Sequence, residues 1–413
     1  TQIALTLLLN LPLKIAKRYL FAKKSQNIIN VVSMISVIGI AVSTMAMIIV
    51  LSGFNGIEKI VEDLYNSFDP DLKITLNEGK TFQKKEVDID KILSLERVAF
   101  GSEVIVENVF IQKGEKFETC KIKGVDASYI YNSKLDTLLL EGLSDLEYEG
   151  TSYGVAGAIL QSRLGFSSDP RYDNQVTING MPRDKKITMT SQSFNQRKIK
   201  IGGVFMTGIY ENDAKYIFTT LDFAQELLDY NNEATGIDVF TDDLSKSQLY
   251  RLKRQVEKVV GDKFKVQTRE EQHELIFSAT KSEKVAVFII LCFVMIIAAF
   301  SMIASLTMLI LEKRKDVFTL YSIGFTKKDV RRLFFYEGLL INLLGGIIGL
   351  SLGLLVCYLQ IWFGFVPMQE AIIDSYPMEV EFMDVFYILI TVITVGVLSS
   401  YFPVKYLVKR LEI

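Results

Sequence analysis

The chain has 413 residues, 49% of them hydrophobic, and a formal net charge of −2. That balance gives no global basic field, which argues against nucleic acid as a partner. The one histidine, His273, argues against a His-based zinc site or a Ser-His-Asp triad, and three cysteines, two inside apolar runs, against a disulfide framework.

The apolar stretch "IALTLLLNLPL" at the start precedes its positive charges and is followed by no small-residue cleavage site, so it does not read as a secretory signal peptide. A membrane crossing needs about 20 apolar residues. Four uncharged runs satisfy that: Ile28 to Leu51, Val285 to Leu311, Gly338 to Phe365 and Val385 to Val404. Lys and Arg cluster before the first run, between the second and third, and after the fourth. Residues 366–384 hold none, and carry Glu370, Asp374, Glu379, Glu381 and Asp384. The positive-inside rule then makes both termini and residues 312–337 cytoplasmic, and places residues 52–284 and the short 366–384 loop outside.

Residues 52–284 are long enough for a core of their own, in two subdomains. Ile57, Ile60, Val61, Leu64 and Phe68 share one helical face, and Asp69-Pro70 ends that helix. "LKITL" (72–76), "EVIVENVFIQ" (103–112), "FETCKIKGV" (117–125), "QVTING" (175–180) and "RKIKIGGVF" (197–205) read as strands. "GAILQSRLGF" reads as a short helix closed by Gly165. "ATGIDVFT", "SKSQLYRLKRQVEKVVG" and "KFKVQT" read as a strand, an amphipathic helix closed by Gly261 and a strand, a βαβ unit. Charged residues elsewhere in this region are scattered as on a solvated surface. Thr268 with Glu271 resembles a capping box. No Pro or Gly follows before Leu311, so one helix of about 66 Å can run from Thr268 through the membrane. With an outward extension of the first span it makes a pair of rigid stalks; shorter helices separated by a bend are the alternative. His273 falls on this helix as a surface or packing residue.

No GxxxxGK[ST], HExxH or GxSxG occurs, so the chain carries no nucleotide-binding P-loop and reads as non-enzymatic, with no metal and no cofactor of its own. The densest charge is "EKRKDVFTLYSIGFTKKDVRRLFFYEG" (312–338), with seven Lys or Arg and four acids. Val317, Leu320 and Tyr321 follow helical spacing, Gly324 suits the left-handed position after a helix, and Thr326 with Asp329 caps a second helix carrying Val330, Leu333 and Phe334. An amphipathic helical hairpin of this kind suits docking of its apolar face on another protein or on the bilayer surface. In the third run, Gly345, Gly349 and Gly353 form a small-residue face that permits close helix contact, such as at a dimer interface.

The layout and the block "EKRKDVFTLYSIGFTKKDVRRLFFYEGLLINLLGGIIGLSLG" resemble the FtsX-like permease family of ABC transporters. The N-terminal block, with "RYL", "VLSGFNG" and "DPDLKI", is similar to the transmembrane subunits of lipoprotein-releasing systems, as is "GGVFMTGIYENDAKYIFTTLDFAQELL". The resemblance implies an integral membrane α-helical protein with four transmembrane helices and a large α+β periplasmic domain of the macrolide-exporter type. Residues 1–27 would be a cytoplasmic N-terminal elbow helix and 405–413 a cytoplasmic tail, in a bacterial inner membrane. It implies a dimer with a second permease subunit, self or paralogue, and a separate ABC ATPase dimer that binds ATP and magnesium. It implies extraction of a lipoprotein substrate from membrane lipid to a periplasmic carrier.

On that reading Glu312, Arg314, Asp316, Val317, Leu320, Gly324, Thr326 and Asp329 form the element that couples to the ATPase. Met45, Ile48, Ile296 and Phe300 would meet acyl chains in a cavity between subunits. Phe194, Asn195, Gln196 and Arg197, within "TSQSFNQRKIK", would face the carrier. The other readings are an FtsX-like exporter of small amphiphiles or peptides, and a mechanotransmitting activator of a cell-wall hydrolase.

Overall fold

The computed structural model describes residues 15–16, 27–66, 68–133, 135–168, 171, 174–182, 194–368 and 375–410. Apart from Ile15, Ala16 and Asn27, the expected elbow helix lies outside them, as do residues 190–193, Glu370 and Asp374. The chain forms two compact units, one of residues 1–60 and 278–413, the other of residues 61–277.

In chain order the elements are helix α1 (Asn27–Asn66), strands β1 (Leu72–Leu76), β2 (Phe82–Gln83), β3 (Val98–Lys113), β4 (Lys116–Val125), β5 (Leu139–Gly142), β6 (Glu147–Tyr148) and β7 (Thr151–Gly157), and helix α2 (Ala158–Leu164). Then come β8 (Gln175–Gly180), β9 (Asn195–Phe205), β10 (Tyr216–Thr220), α3 (Leu221–Leu228), β11 (Glu233–Ala234), β12 (Gly236–Thr241), α4 (Lys246–Val260) and β13 (Phe264–Thr268). The last four helices are α5 (Glu274–Glu312), α6 (Arg314–Ser322), α7 (Lys327–Phe363) and α8 (Phe382–Arg410). Shorter helical turns lie between them.

Four helices, α1, α5, α7 and α8, are long and apolar enough to cross a membrane. Apolar side chains gain little by leaving lipid for each other, so close backbone approach and polar contacts must hold such helices together. Both are present. A Cβ on Gly349 would lie 2.2 Å from the Ala41 carbonyl oxygen, one on Gly353 2.0 Å from Ile48, and one on Gly345 2.9 Å from the Val37 carbonyl oxygen. The glycine face of α7 is therefore filled by α1 of the same chain, which corrects its reading as a dimer face. The other side of α7 meets α8, where Asn342 donates to the Val392 carbonyl at 2.8 Å. Serines join α1 to α5, Ser36 to Ser301 at 3.3 Å and Ser305 to Ser33 at 3.3 Å.

In residues 61–277 the main sheet runs β13-β1-β12-β3-β4-β10-β7-β9-β5. The strand–helix–strand of β12, α4 and β13 is not a simple βαβ unit. β1 is inserted between the two strands, antiparallel to both. That insertion is a pairing of residues far apart in sequence, invisible to local patterning. Leu252, Val256 and Val260 of α4 pack on Leu72, Ile74, Ile237 and Val239, forming one core. α2 and α3 cover a second core on β3, β4, β8, β9 and β10. A third, aromatic core gathers Phe68, Tyr129, Phe205, Phe218 and Phe240. β3 serves both halves of the sheet: residues 98–104 pair with β12 and residues 105–113 with β4. Gly165 closes α2 in the left-handed conformation, φ 73°, which glycine adopts without the steric cost of a Cβ. Cys120, buried in the second core, has its thiol pushed up to about 12 by that burial.

Three sequence expectations change here. Phe68 does not extend the helical face of Ile57 to Leu64. α1 ends at Asn66, and Phe68 inserts edge-on against Tyr216 and Phe218. The proposed continuous helix from Thr268 is broken at His273 (φ −117°, ψ 38°) after one capped turn, Arg269–Gln272. The break is held by His273 Nε2 on the Asp69 carboxylate at 2.8 Å and by tilted contact of its ring with Tyr65, 4.1 Å between centroids. And the charges are not all surface. Lys123 on β4 and Asp238 on β12 are an ion pair at 2.7 Å, the carboxylate side chain fully buried. Tyr129 donates to Asp238 at 2.7 Å and accepts from Lys123 at 2.8 Å, and the rings of Phe68, Tyr129 and Phe218 surround the ammonium. Lys73, in register with Asp238 on β1, has its amine held below the ordinary lysine value by burial, which Asp238 partly offsets.

Candidate coupling site

The charged segment folds as two helices at a tight corner. α5 ends at Glu312, whose side chain is exposed, and Lys313 turns the chain into α6 with its ammonium 2.8 Å from Asp316. Gly324, φ 97°, takes the backbone through the left-handed region, where a side chain is strained. Behind it the Gly324 and Phe325 amides donate to the Tyr321 and Leu320 carbonyls at 2.9 and 3.0 Å, satisfying the end of α6. α7 then starts from a capping box: Thr326 N donates to the Asp329 carboxylate at 3.0 Å, and Asp329 N to the Thr326 hydroxyl at 3.3 Å. Gly324, Thr326 and Asp329 thus set the corner's shape.

The apolar face of the corner is already occupied. Val317, Val330, Leu333 and Phe334 are buried in one cluster with Leu309 and Ile310 of α5 and Val404 and Val408 of α8, with Leu320 and Tyr321 at its margin. The expectation that this face docks on a partner or a bilayer is corrected: the chain buries it against its own helices. Periodicity reveals that a face is apolar, and not what covers it. The opposite side of α6 is open. Arg314 and Lys315 are exposed, Phe318 is 43% and Ile323 70% exposed, and the Arg314 guanidinium lies over the Phe318 ring at 5.9 Å. Sequence reasoning passed over Phe318 and Ile323. The signal was an apolar residue out of phase with Val317, Leu320 and Tyr321, and another in the turn before Gly324.

The other nominated residues do not gather at this site. Ile48 is fully buried against α7, in a cluster with Met47, Leu51 and Met295, and so faces no cavity. Close contact through Gly353 put it there, a correction of its acyl-chain role. Met45 is partly buried beside it, and Ile296 and Phe300 stay exposed on α5 together with Ile289, Phe293 and Ile297. On α1 the exposed stripe is Val31, Met34, Ile35, Ile38 and Val42. Phe194 meets Phe110 edge-on, the Asn195 amide donates to the Leu227 carbonyl at 3.1 Å, Gln196 is an exposed residue of β9, and Arg197 pairs with Glu226 at the surface. No cluster of three His, Cys, Asp or Glu side chains able to hold a metal occurs among the described residues.

Residues 288–410, which include the whole corner and α6 to α8, match the family described as FtsX-like permease C-terminal. The membrane unit carries an FtsX-like permease domain. Beyond that domain the chain is similar along nearly its whole length to the "Lipoprotein-releasing system transmembrane protein LolC" of Buchnera aphidicola, 24% identical over 397 residues, 96% of each chain. It is 20% identical over 427 residues to the LolE protein of Haemophilus influenzae, again 96% of each chain. Among solved structures, the periplasmic region of MacB from Actinobacillus actinomycetemcomitans aligns with a TM-score of 0.37 and 13% identity, covering 53% of this chain and 97% of that one.

Proposed function

We propose that the chain is the membrane subunit of an ABC transporter that extracts lipoproteins from the inner membrane and passes them to a periplasmic carrier. The observation that carries this reading is the full-length similarity to LolC and LolE proteins. The Lys and Arg bias orients the corner to the cytoplasm and residues 61–277 to the periplasm. Catalysis belongs to a separate ATPase dimer, which binds ATP and magnesium, and a second permease subunit completes the cavity.

The ATPase grips α6 by its open face, Arg314, Phe318 and Ile323, while Val317, Val330 and Phe334 fasten the corner to α5 and α8. Each buried acyl methylene holds a lipoprotein with about 0.8 kcal/mol, so extraction of several chains needs work from outside the membrane. Two experiments test the proposal. After depletion of the protein, outer-membrane lipoproteins should accumulate in the inner-membrane fraction; normal delivery refutes the transport reading. Phe318→Ala with Ile323→Ala should weaken co-purification of the ATPase by tenfold or more, the effect of removing anchoring apolar side chains. Full co-purification refutes the docking face.

A further inference from the structure

At the cation-rich end of the membrane unit, α7 and α8 enclose a groove of about 370 Å³ lined by Arg331, Arg332, Phe335, Tyr401, Val404 and Lys405. It holds three cations and no acid. Arg332 feels the Asp329 carboxylate one turn away on α7, outside the groove, and Arg331 Nε is buried without an acceptor among the described residues. The Lys405 ammonium lies over the Tyr401 ring at 5.4 Å, and Phe402 and Tyr406 are exposed beside it.

Its depth is set by sequence. Val404 is the last residue of the uncharged run of α8, and Phe335 stands one turn before Gly338, where the run of α7 begins. The groove therefore sits where hydrocarbon gives way to headgroups, and aromatic residues mark that level. A merely solvated cationic face would not need a floor of Phe335, Tyr401 and Val404. An acidic protein segment would use the charge but not the apolar floor at membrane depth. An anionic amphiphile uses both, and basic pockets between membrane helices hold such headgroups.

We propose that this groove binds the headgroup of an anionic phospholipid, with its phosphate held by Arg331, Arg332 and Lys405 and its first methylenes against Phe335 and Tyr401. The assignment is independent of the transport reading, since it needs only a membrane-embedded chain.

The test is native mass spectrometry of the full chain in a neutral detergent, titrated with phosphatidylglycerol or with phosphatidylcholine. Each cation near such a surface contributes about a fivefold effect, so Arg332→Gln with Lys405→Gln should weaken the first phosphatidylglycerol by about thirtyfold and leave phosphatidylcholine unchanged. Lys327→Gln with Lys328→Gln, exposed cations one turn away on the same helix that do not line the groove, should weaken it clearly less than the groove pair. Both variant pairs replace exposed side chains, and their thermal midpoints should match the wild type. Equal losses in the two pairs, no preference for phosphatidylglycerol, or its displacement by inorganic phosphate at similar concentration would each overturn the headgroup assignment. So would loss of ATPase co-purification in the first pair with phosphatidylglycerol binding intact, which would make the groove a protein interface.

Discussion

Replacing Lys123 by Met removes one partner of the buried pair that joins β4 to β12 across β3. The methionine keeps most of the volume and leaves the Asp238 carboxylate buried with the Tyr129 hydroxyl as its remaining hydrogen-bond donor. Breaking such a pair costs about 3–5 kcal/mol. Lys73, in register with Asp238 on the neighbouring strand, supplies some compensating charge, so the lower end, about 3 kcal/mol, is the expected loss. The readout is Cys120, buried in the adjoining core with a thiol pushed up to about 12, and so unreactive at neutral pH until the sheet opens. Native-state alkylation of Cys120, followed by peptide mass spectrometry, should therefore speed up by roughly a hundredfold or more. Lys123→Met combined with Asp238→Leu removes both charges and should recover most of the loss, leaving about 1–2 kcal/mol for the stranded Tyr129 hydroxyl. A double variant as damaged as the single one, or a single variant labelled at the wild-type rate, would refute the account of Asp238 as a carboxylate dependent on Lys123.

Other outcomes follow from the same contacts. Gly349→Ala sets a methyl against the Ala41 carbonyl, and α1 and α7 must part by about 1 Å. A loss of about 1–3 kcal/mol is expected, read as a lower thermal midpoint in detergent, with Leu352→Ala on the exposed side of α7 as a silent control. Val317→Ala empties part of the buried corner and should lower stability by about 1–3 kcal/mol, whereas Ile323→Ala should leave the midpoint unchanged and act only on the proposed ATPase docking. Because burial lowers the Lys73 amine, the unfolded chain binds more protons than the folded one between that lowered value and 10.5. Stability of residues 61–277 should then rise with pH through this window, and Lys73→Met should flatten the rise in denaturant titrations.

The membrane helices and the corner were legible because their signals are local: uncharged runs, a glycine after a short periodic segment, a threonine three residues before an aspartate. What each surface meets was not. Gly345, Gly349 and Gly353 announce close packing, and only the fold shows that α1 fills the gap. Val317 and Phe334 announce an apolar face, and only the fold shows that α8 covers it. Lys123 and Asp238 look like any two charges on alternating strands, since the pairing that buries them links residues over a hundred positions apart. The inserted β1 and the bend at His273 escaped for the same reason: partners such as Asp69 and Tyr65 lie about two hundred positions away.

The double duty of β3 bears on modularity. A strand that pairs along its first seven residues with one half of the sheet and along the remainder with the other leaves no seam between them. Neither half can be excised, swapped for a relative's or moved as a hinged lobe without exposing a row of unpaired amides. Residues 61–277 should accordingly melt in one step, and recombination between relatives should succeed when it exchanges the whole sheet and fail when its crossover falls within residues 98–113.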